Sequence, residues 1–180
     1  MKDPLFFIAL LPGEAIEREV TAFKQACARL FHASHALKSP PHITLIPPFP
    51  WNPANLAKLA DALDDFAARQ SMFPVELHDF DCFKPRVIFI KPLPNEQLDN
   101  LQATLESHLE KTVGWKDERS RGFHPHLTIA HRDLKHWLFP KAREHFSAVE
   151  YRRTFDADRL TLLEHLKGRW EIYEEYFFGK

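Results

Sequence analysis

Apolar residues fall along this chain in short unbroken runs and in three- and four-residue steps, and the two patterns alternate. Leu5 to Leu11 is a continuous apolar run stopped by Pro12, the length of a buried strand. Ile16, Val20, Phe23, Cys27 and Leu30 then recur at helical spacing, which predicts an amphipathic helix over 14–31. Pro40-Pro41 forces an extended entry into a strand from His42 to Ile46, which Pro47-Pro48 closes. Leu56, Leu59, Leu63 and Phe66 predict a second helix from Ala54 to Arg69. Phe73, Val75 and Leu77 alternate as in a half-buried strand, and Val87 to Ile90 reads as a short buried one. A third helix starts near Asn95 with Leu98, Leu101, Leu105 and Leu109 in register. Trp115 to Arg121 reads as a polar loop, His126 to Ala130 as a strand and Leu134 to Phe146 as a fourth helix. From Arg152 the alternation supports two or three strands, clearest at Trp170, Ile172, Glu174, Tyr176 and Phe178.

The order repeats. Leu11-Pro12-Gly13-Glu14 opens the first helix and Leu93-Pro94-Asn95-Glu96 the third; Pro41-His42-Ile43-Thr44-Leu45 returns as Pro125-His126-Leu127-Thr128-Ile129. The two offsets, 82 and 84 residues, are nearly equal, so each half reads strand, helix, His-x-Thr strand, helix. Two similar lobes within a single unit spanning residues 1–180 are expected, a length that suits one domain.

Composition narrows the function. Lys and Arg number 24 against 25 Asp and Glu, a net charge of −1, so no global field gathers nucleic acid or an anionic membrane. Between Ala54 and Asp81 six carboxylates (Asp61, Asp64, Asp65, Glu76, Asp79, Asp81) face only Lys58 and Arg69, which argues against wrapping a long nucleic acid. Cys27 and Cys82 are expected to be buried free thiols. The N-terminal run lacks the features of a signal peptide and no stretch is apolar over about 18 residues, so a cytoplasmic protein without membrane contact is expected; a monomer is expected as well.

The repeated motif carries the chemistry. Residues two apart in a strand share a face, so each imidazole keeps company with a threonine hydroxyl while Ile43 and Leu45, or Leu127 and Ile129, point into a core. Brought to one cleft, two imidazoles and two hydroxyls suit a phosphate ester. One ring takes a proton from the attacking hydroxyl or water, the other gives one to the departing oxygen, and the hydroxyls hold the non-bridging oxygens. No metal or other cofactor is called for. The rival reading takes His124, His126 and His131 as ligands of a metal-dependent hydrolase or binding module, but leaves His42 and Thr44 unexplained. Two structural histidines beside strand threonines, or a non-catalytic RNA-binding module, are the remaining alternatives.

The pair His42-Ile43-Thr44-Leu45 and His126-Leu127-Thr128-Ile129 resembles the two signatures of the two-histidine (2H) phosphoesterase superfamily, and within it the 2′-5′ RNA ligase or RNA 2′,3′-cyclic phosphodiesterase branch. The opening Leu5 to Pro12, Phe83-Lys84-Pro85-Arg86-Val87, Phe123-His124-Pro125 and the aromatic last strand are similar too. The resemblance implies a bilobal α+β fold in which two antiparallel sheets line a central cleft with helices outside. It implies opening of a terminal 2′,3′-cyclic phosphate to a 2′-phosphate, with 2′-5′ ligation in some members. His42 would then be the proton donor and His126 the acceptor, and the partner an RNA terminus or a small cyclic-phosphate nucleotide. RNA-branch members often carry arginine five residues beyond the second histidine; here His131 stands there, followed by Arg132, which shares a face with His126 and Thr128 if the strand runs that far. Both are candidate phosphate ligands. Lys38, Arg86 and Arg121 are candidates for neighbouring phosphates, and Phe123 and Tyr173 for stacking a base.

Overall fold

A computed structural model describes residues 3–117 and 122–179. Eight strands form one antiparallel sheet in the order β6-β3-β4-β5-β2-β1-β7-β8, curled into a half-barrel. The strands are β1 (Leu5–Leu10), β2 (Ile43–Pro50), β3 (Phe73–Phe83), β4 (Val87–Pro92), β5 (Leu127–Ala130), β6 (Arg152–Ala157), β7 (Arg159–Leu166) and β8 (Arg169–Phe177). The helices are α1 (Glu14–Phe31), α2 (Leu56–Ala67), α3 (Glu96–Val113) and α4 (Phe139–Ser147). This is the expected α+β class, and the two expected sheets are the halves β6-β3-β4-β5 and β2-β1-β7-β8, seamed where Ile43 pairs with Leu127.

That seam explains the repeat. Ile43 and Leu127 are equivalent positions of the two halves, and equivalent residues pair with each other only on a twofold axis. Outward from it β2 answers β5, β1 answers β4, and α1 and α3 are both 18 residues long. Each helix packs against the other half's central strand, α1 on β5 and α3 on β2. One contiguous core therefore draws on both halves, from Phe6, Ile8 and Leu10 through Ile43, Leu45 and Leu127 to Leu98, Leu101, Leu105 and Leu109. Burial of this apolar surface is what holds the helices to the sheet.

Local chemistry fixes the helix ends. Asn95 caps α3 by accepting from Leu98 N at 3.0 Å, and Gly114 ends it at φ 74°, a left-handed geometry that glycine adopts without cost.

Several boundaries differ from the sequence pattern. β2 runs through Pro47 and Pro48 because β5 meets it only at Ile43, so no ladder on that side needs the missing N–H groups. β3 continues to Phe83 through an irregular pairing around Asp79, whose φ is 53°. A 3₁₀ turn (Pro53–Asn55) precedes α2. α4 starts at Phe139 rather than Leu134, since His131 to Leu138 form turns tied down by Asp133. In α1 the inward stripe is Ile16, Val20, Lys24, Cys27 and Phe31, while Leu30 is half exposed. Cys27 is a buried free thiol, its pKa pushed up to about 12 by burial, but Cys82 on β3 is only half-buried. Among the described residues no helix is long and apolar enough to cross a membrane.

Candidate active site

Ile43 and Leu127 point into the core, fully buried, so the residues on either side of each point to the opposite, concave face. Extending the antiparallel register by one residue sets His42 opposite Thr128 and Thr44 opposite His126. All four side chains line one cavity of about 520 Å³. The volume is ordinary for a small-molecule site.

Each ring is seated in the same way. His42 Nδ1 lies 2.7 Å from Pro40 O, and His126 Nδ1 lies 2.7 Å from His124 O. A carbonyl can only accept, so both Nδ1 atoms carry hydrogen and both Nε2 atoms are left for chemistry. An aromatic ring at equivalent positions of β1 and β4 backs each imidazole: Phe7 at 4.8 Å from His42 and Phe89 at 5.4 Å from His126, with Phe83 packed beside Phe89 at 5.1 Å from the second imidazole. Trp170 packs edge-on against Phe7 and completes the apolar floor.

Burial against these rings disfavours imidazolium. Burial holds His42 down to about 4; its bond to Pro40 opposes the shift, and the charges of Lys24, His126 and His131 add to it. His126 is lowered chiefly by burial, against the pull of the His124 carbonyl. His131 is likewise held at about 4, mainly by burial, then by His35 and Arg132.

The basic end of the cavity holds His35, Lys38, His131 and Arg132, with His165 also on its wall. No carboxylate lines it among the described residues. In a chain of net charge −1 this is a local concentration of positive potential, suited to a phosphoryl group. β5 ends at Ala130 and Arg132 turns at φ 45°, so strand alternation does not carry to Arg132; a turn brings both His131 and Arg132 to the cavity instead. Asp133 fixes that turn, its Oδ2 accepting from Ser34 N at 2.7 Å and His35 N at 2.8 Å, and thereby sets the His131 ring 4.9 Å from His35.

A second cavity, of about 350 Å³, meets the first at Thr44 and His126 and is lined by Phe83, Phe123, Trp115, His124, Gln102 and Glu106 among others. Phe123 belongs here. Arg86 lies exposed in the β3–β4 turn and lines neither cavity, and Tyr173 stands edge-on to Phe6, which belongs to the core under the helices. A register shift in the β7–β8 pairing falls between Leu162 and Leu163, opposite Glu174 and Ile172, so simple alternation misplaces Tyr173, and Trp170 is the aromatic that β8 gives to the cleft. Arg121 lies outside the described residues. The proposed metal trio does not converge: His124 and His131 line different cavities, and among the described residues no three metal-ligating side chains come together.

Sequence reasoning missed His35, Ser39, Phe7 and His165. Phe7 was in principle findable, since the repeat maps it onto Phe89; His35 and His165 have no counterpart in the motif.

Two His-x-Thr strands paired on the axis of a duplicated α+β half-barrel define the two-histidine phosphoesterase class. The chain belongs to the 2′-5′ RNA ligase superfamily, whose family model matches residues 12–169. It is 30% identical over 143 residues to the RNA 2′,3′-cyclic phosphodiesterase of Bacillus subtilis (strain 168), covering 76% of this chain and 74% of that one. A protein of Geobacillus sp. (strain WCH70) that carries the name phosphoesterase and nothing finer is 29% identical over 175 residues, 96% of this chain and 95% of its own. In fold the chain is similar to E. coli LigT complexed with 3′-AMP, at a TM-score of 0.70 and 16% identity over 99% of this chain and 100% of that one.

Proposed function

We propose that the protein is a metal-independent phosphodiesterase that opens 2′,3′-cyclic phosphates, at RNA ends or on small nucleotides, to 2′-phosphates. The observation that carries this reading is the matched seating of His42 and His126, each with Nδ1 bound to a carbonyl two residues upstream and both rings on one cavity. In the reaction water attacks phosphorus and gives its proton to one imidazole. The P–O3′ bond breaks, and the 3′-oxygen takes a proton from the other imidazole, leaving a 2′-phosphate and a 3′-hydroxyl. Thr44 and Thr128 donate to the non-bridging oxygens, where charge builds. The resemblance to the superfamily assigns His42 as donor and His126 as acceptor in this direction.

Acid, base and oxyanion donors all come from side chains, so the mechanism asks nothing of a metal. Lys38, His131 and Arg132 stand where an adjoining phosphate can sit, and Phe123 with Phe83 offers a face to the base. The RNA 2′,3′-cyclic phosphodiesterase name of the Bacillus subtilis relative supports the substrate class.

The test offers purified protein, in chelator, nucleoside 2′,3′-cyclic phosphates, an oligonucleotide with a cyclic-phosphate end, and ADP-ribose cyclic phosphate in parallel. Turnover of at least one is expected, with losses of about 100-fold or more on His42→Ala and on His126→Ala. Undiminished turnover by either variant overturns the assignment, and activity that chelator abolishes overturns the metal-free mechanism.

A further inference from the structure

Lys24 sits in the inward stripe of α1 between Val20 and Cys27, only 2% exposed, and is the one buried charged side chain among the described residues. Burying an ammonium is costly unless it is hydrogen-bonded, and an apolar residue would fill the position without that cost. Its Nζ donates to Ser39 O at 3.0 Å. The next carbonyl along the chain, Pro40 O, is the one that holds His42 Nδ1. Pro40 and Pro41 have no N–H, so this segment cannot anchor itself by donating and depends on what its carbonyls receive. The other half lacks this device: the matching position of α3, eleventh in both helices, is Glu106, which lines the second cavity beside His126.

Building on the function proposed above, we propose that Lys24 is the positioning residue of the first imidazole: its buried ammonium anchors the Ser39-Pro40 peptide and so steadies the adjoining Pro40 carbonyl, which sets the direction in which His42 Nε2 meets the phosphoryl group. The same charge makes the two rings unequal. Lys24 lies close enough to disfavour a proton on His42, whereas at His126 the influences are burial and His124 alone. Around His42 stand His126 and His131, with His35, Lys38, Arg132 and His165 on the same cavity wall, and all of these remain when Lys24 is replaced.

The test is Lys24→Met, which keeps the stem's volume and removes the charge and the donor. Turnover of a 2′,3′-cyclic nucleotide is expected to fall about tenfold to a hundredfold in kcat with KM little changed. The ring nitrogens of His42, followed by NMR, are expected to titrate at higher pH than in the parent, with those of His126 unmoved. The unaltered protein gives a second measurement that needs no variant. Burial holds Lys24 near 8 against the opposing charge of Glu17 on the same helix, so the His42 ring resonances are expected to show a small second inflection there that His126 lacks. A variant with parental kcat and parental His42 titration overturns the proposal, as does the absence of that inflection. The NMR readings need no turnover, so a protein inert toward every cyclic phosphate overturns the proposed function while Lys24's hold on His42 is still decided.

Discussion

Substrate binding should bring a proton with it. Without substrate His42 sits at about 4 and His126 is lowered as well, so at neutral pH both rings are uncharged and the proposed mechanism lacks its general acid. An oxyanion about 4 Å from an imidazolium contributes about 4 kcal/mol at an effective dielectric constant of about 20. Returning His42 from about 4 to its ordinary 6.5 requires about 3.4 kcal/mol at about 1.36 kcal/mol per pH unit. The substrate's own charge is therefore sufficient to supply the missing acid. It follows that kcat/KM, which reports the free enzyme, rises as pH falls from about 8 to about 6 and peaks on the acid side of 6.5, while kcat peaks nearer neutrality. Steady-state turnover of a nucleoside 2′,3′-cyclic phosphate from about pH 4 to about pH 9, at constant ionic strength, measures both profiles. Calorimetry of phosphate binding at neutral pH in two buffers of different ionisation enthalpy should show proton uptake. Coincident profiles for kcat and kcat/KM, or proton release on binding, would show that the substrate does not bring the acid's proton to His42.

Replacing Thr44 or Thr128 by Val keeps the volume and removes one donor to a charged oxygen, so each should lower kcat about 10- to 100-fold, read in single-turnover kinetics, with little effect on Tm. Stability should fall on acidification: His35, His42, His126 and His131 are all lowered, so the unfolded chain binds more protons than the folded one below 6.5, and Tm should drop from there toward about pH 4 and recover in part when phosphate is added. Phe123→Ala should raise KM for nucleoside cyclic phosphates by about 5- to 100-fold and leave phosphate binding unchanged, because it removes a stacking face and no charge.

The repeated Pro-His-x-Thr strands were legible because their apolar residues must reach the core, which forces the polar ones to the opposite face. The register across the axis was not, since it depends on β2 and β5 meeting at a single pair. Lys24 was hidden by composition, as a lysine at a helical position reads as solvated until burial is known. Arg132 reaches the cavity through a left-handed turn that no alternation rule describes, and a register shift in the last hairpin gave the cleft Trp170 in place of Tyr173. Phe7 was obscured by a strand apolar on both faces, where pattern alone cannot say which side chain meets the core and which the cleft.

Whether both imidazoles serve one phosphoryl group is read most directly by titrating the protein with a nucleoside 2′-phosphate and following the ring nitrogens of His42 and His126 by NMR. Both Nε2 resonances should move together along one saturation curve, with a single apparent Kd. A ligand that shifts one ring alone, or the two at separate concentrations, would contradict the shared site.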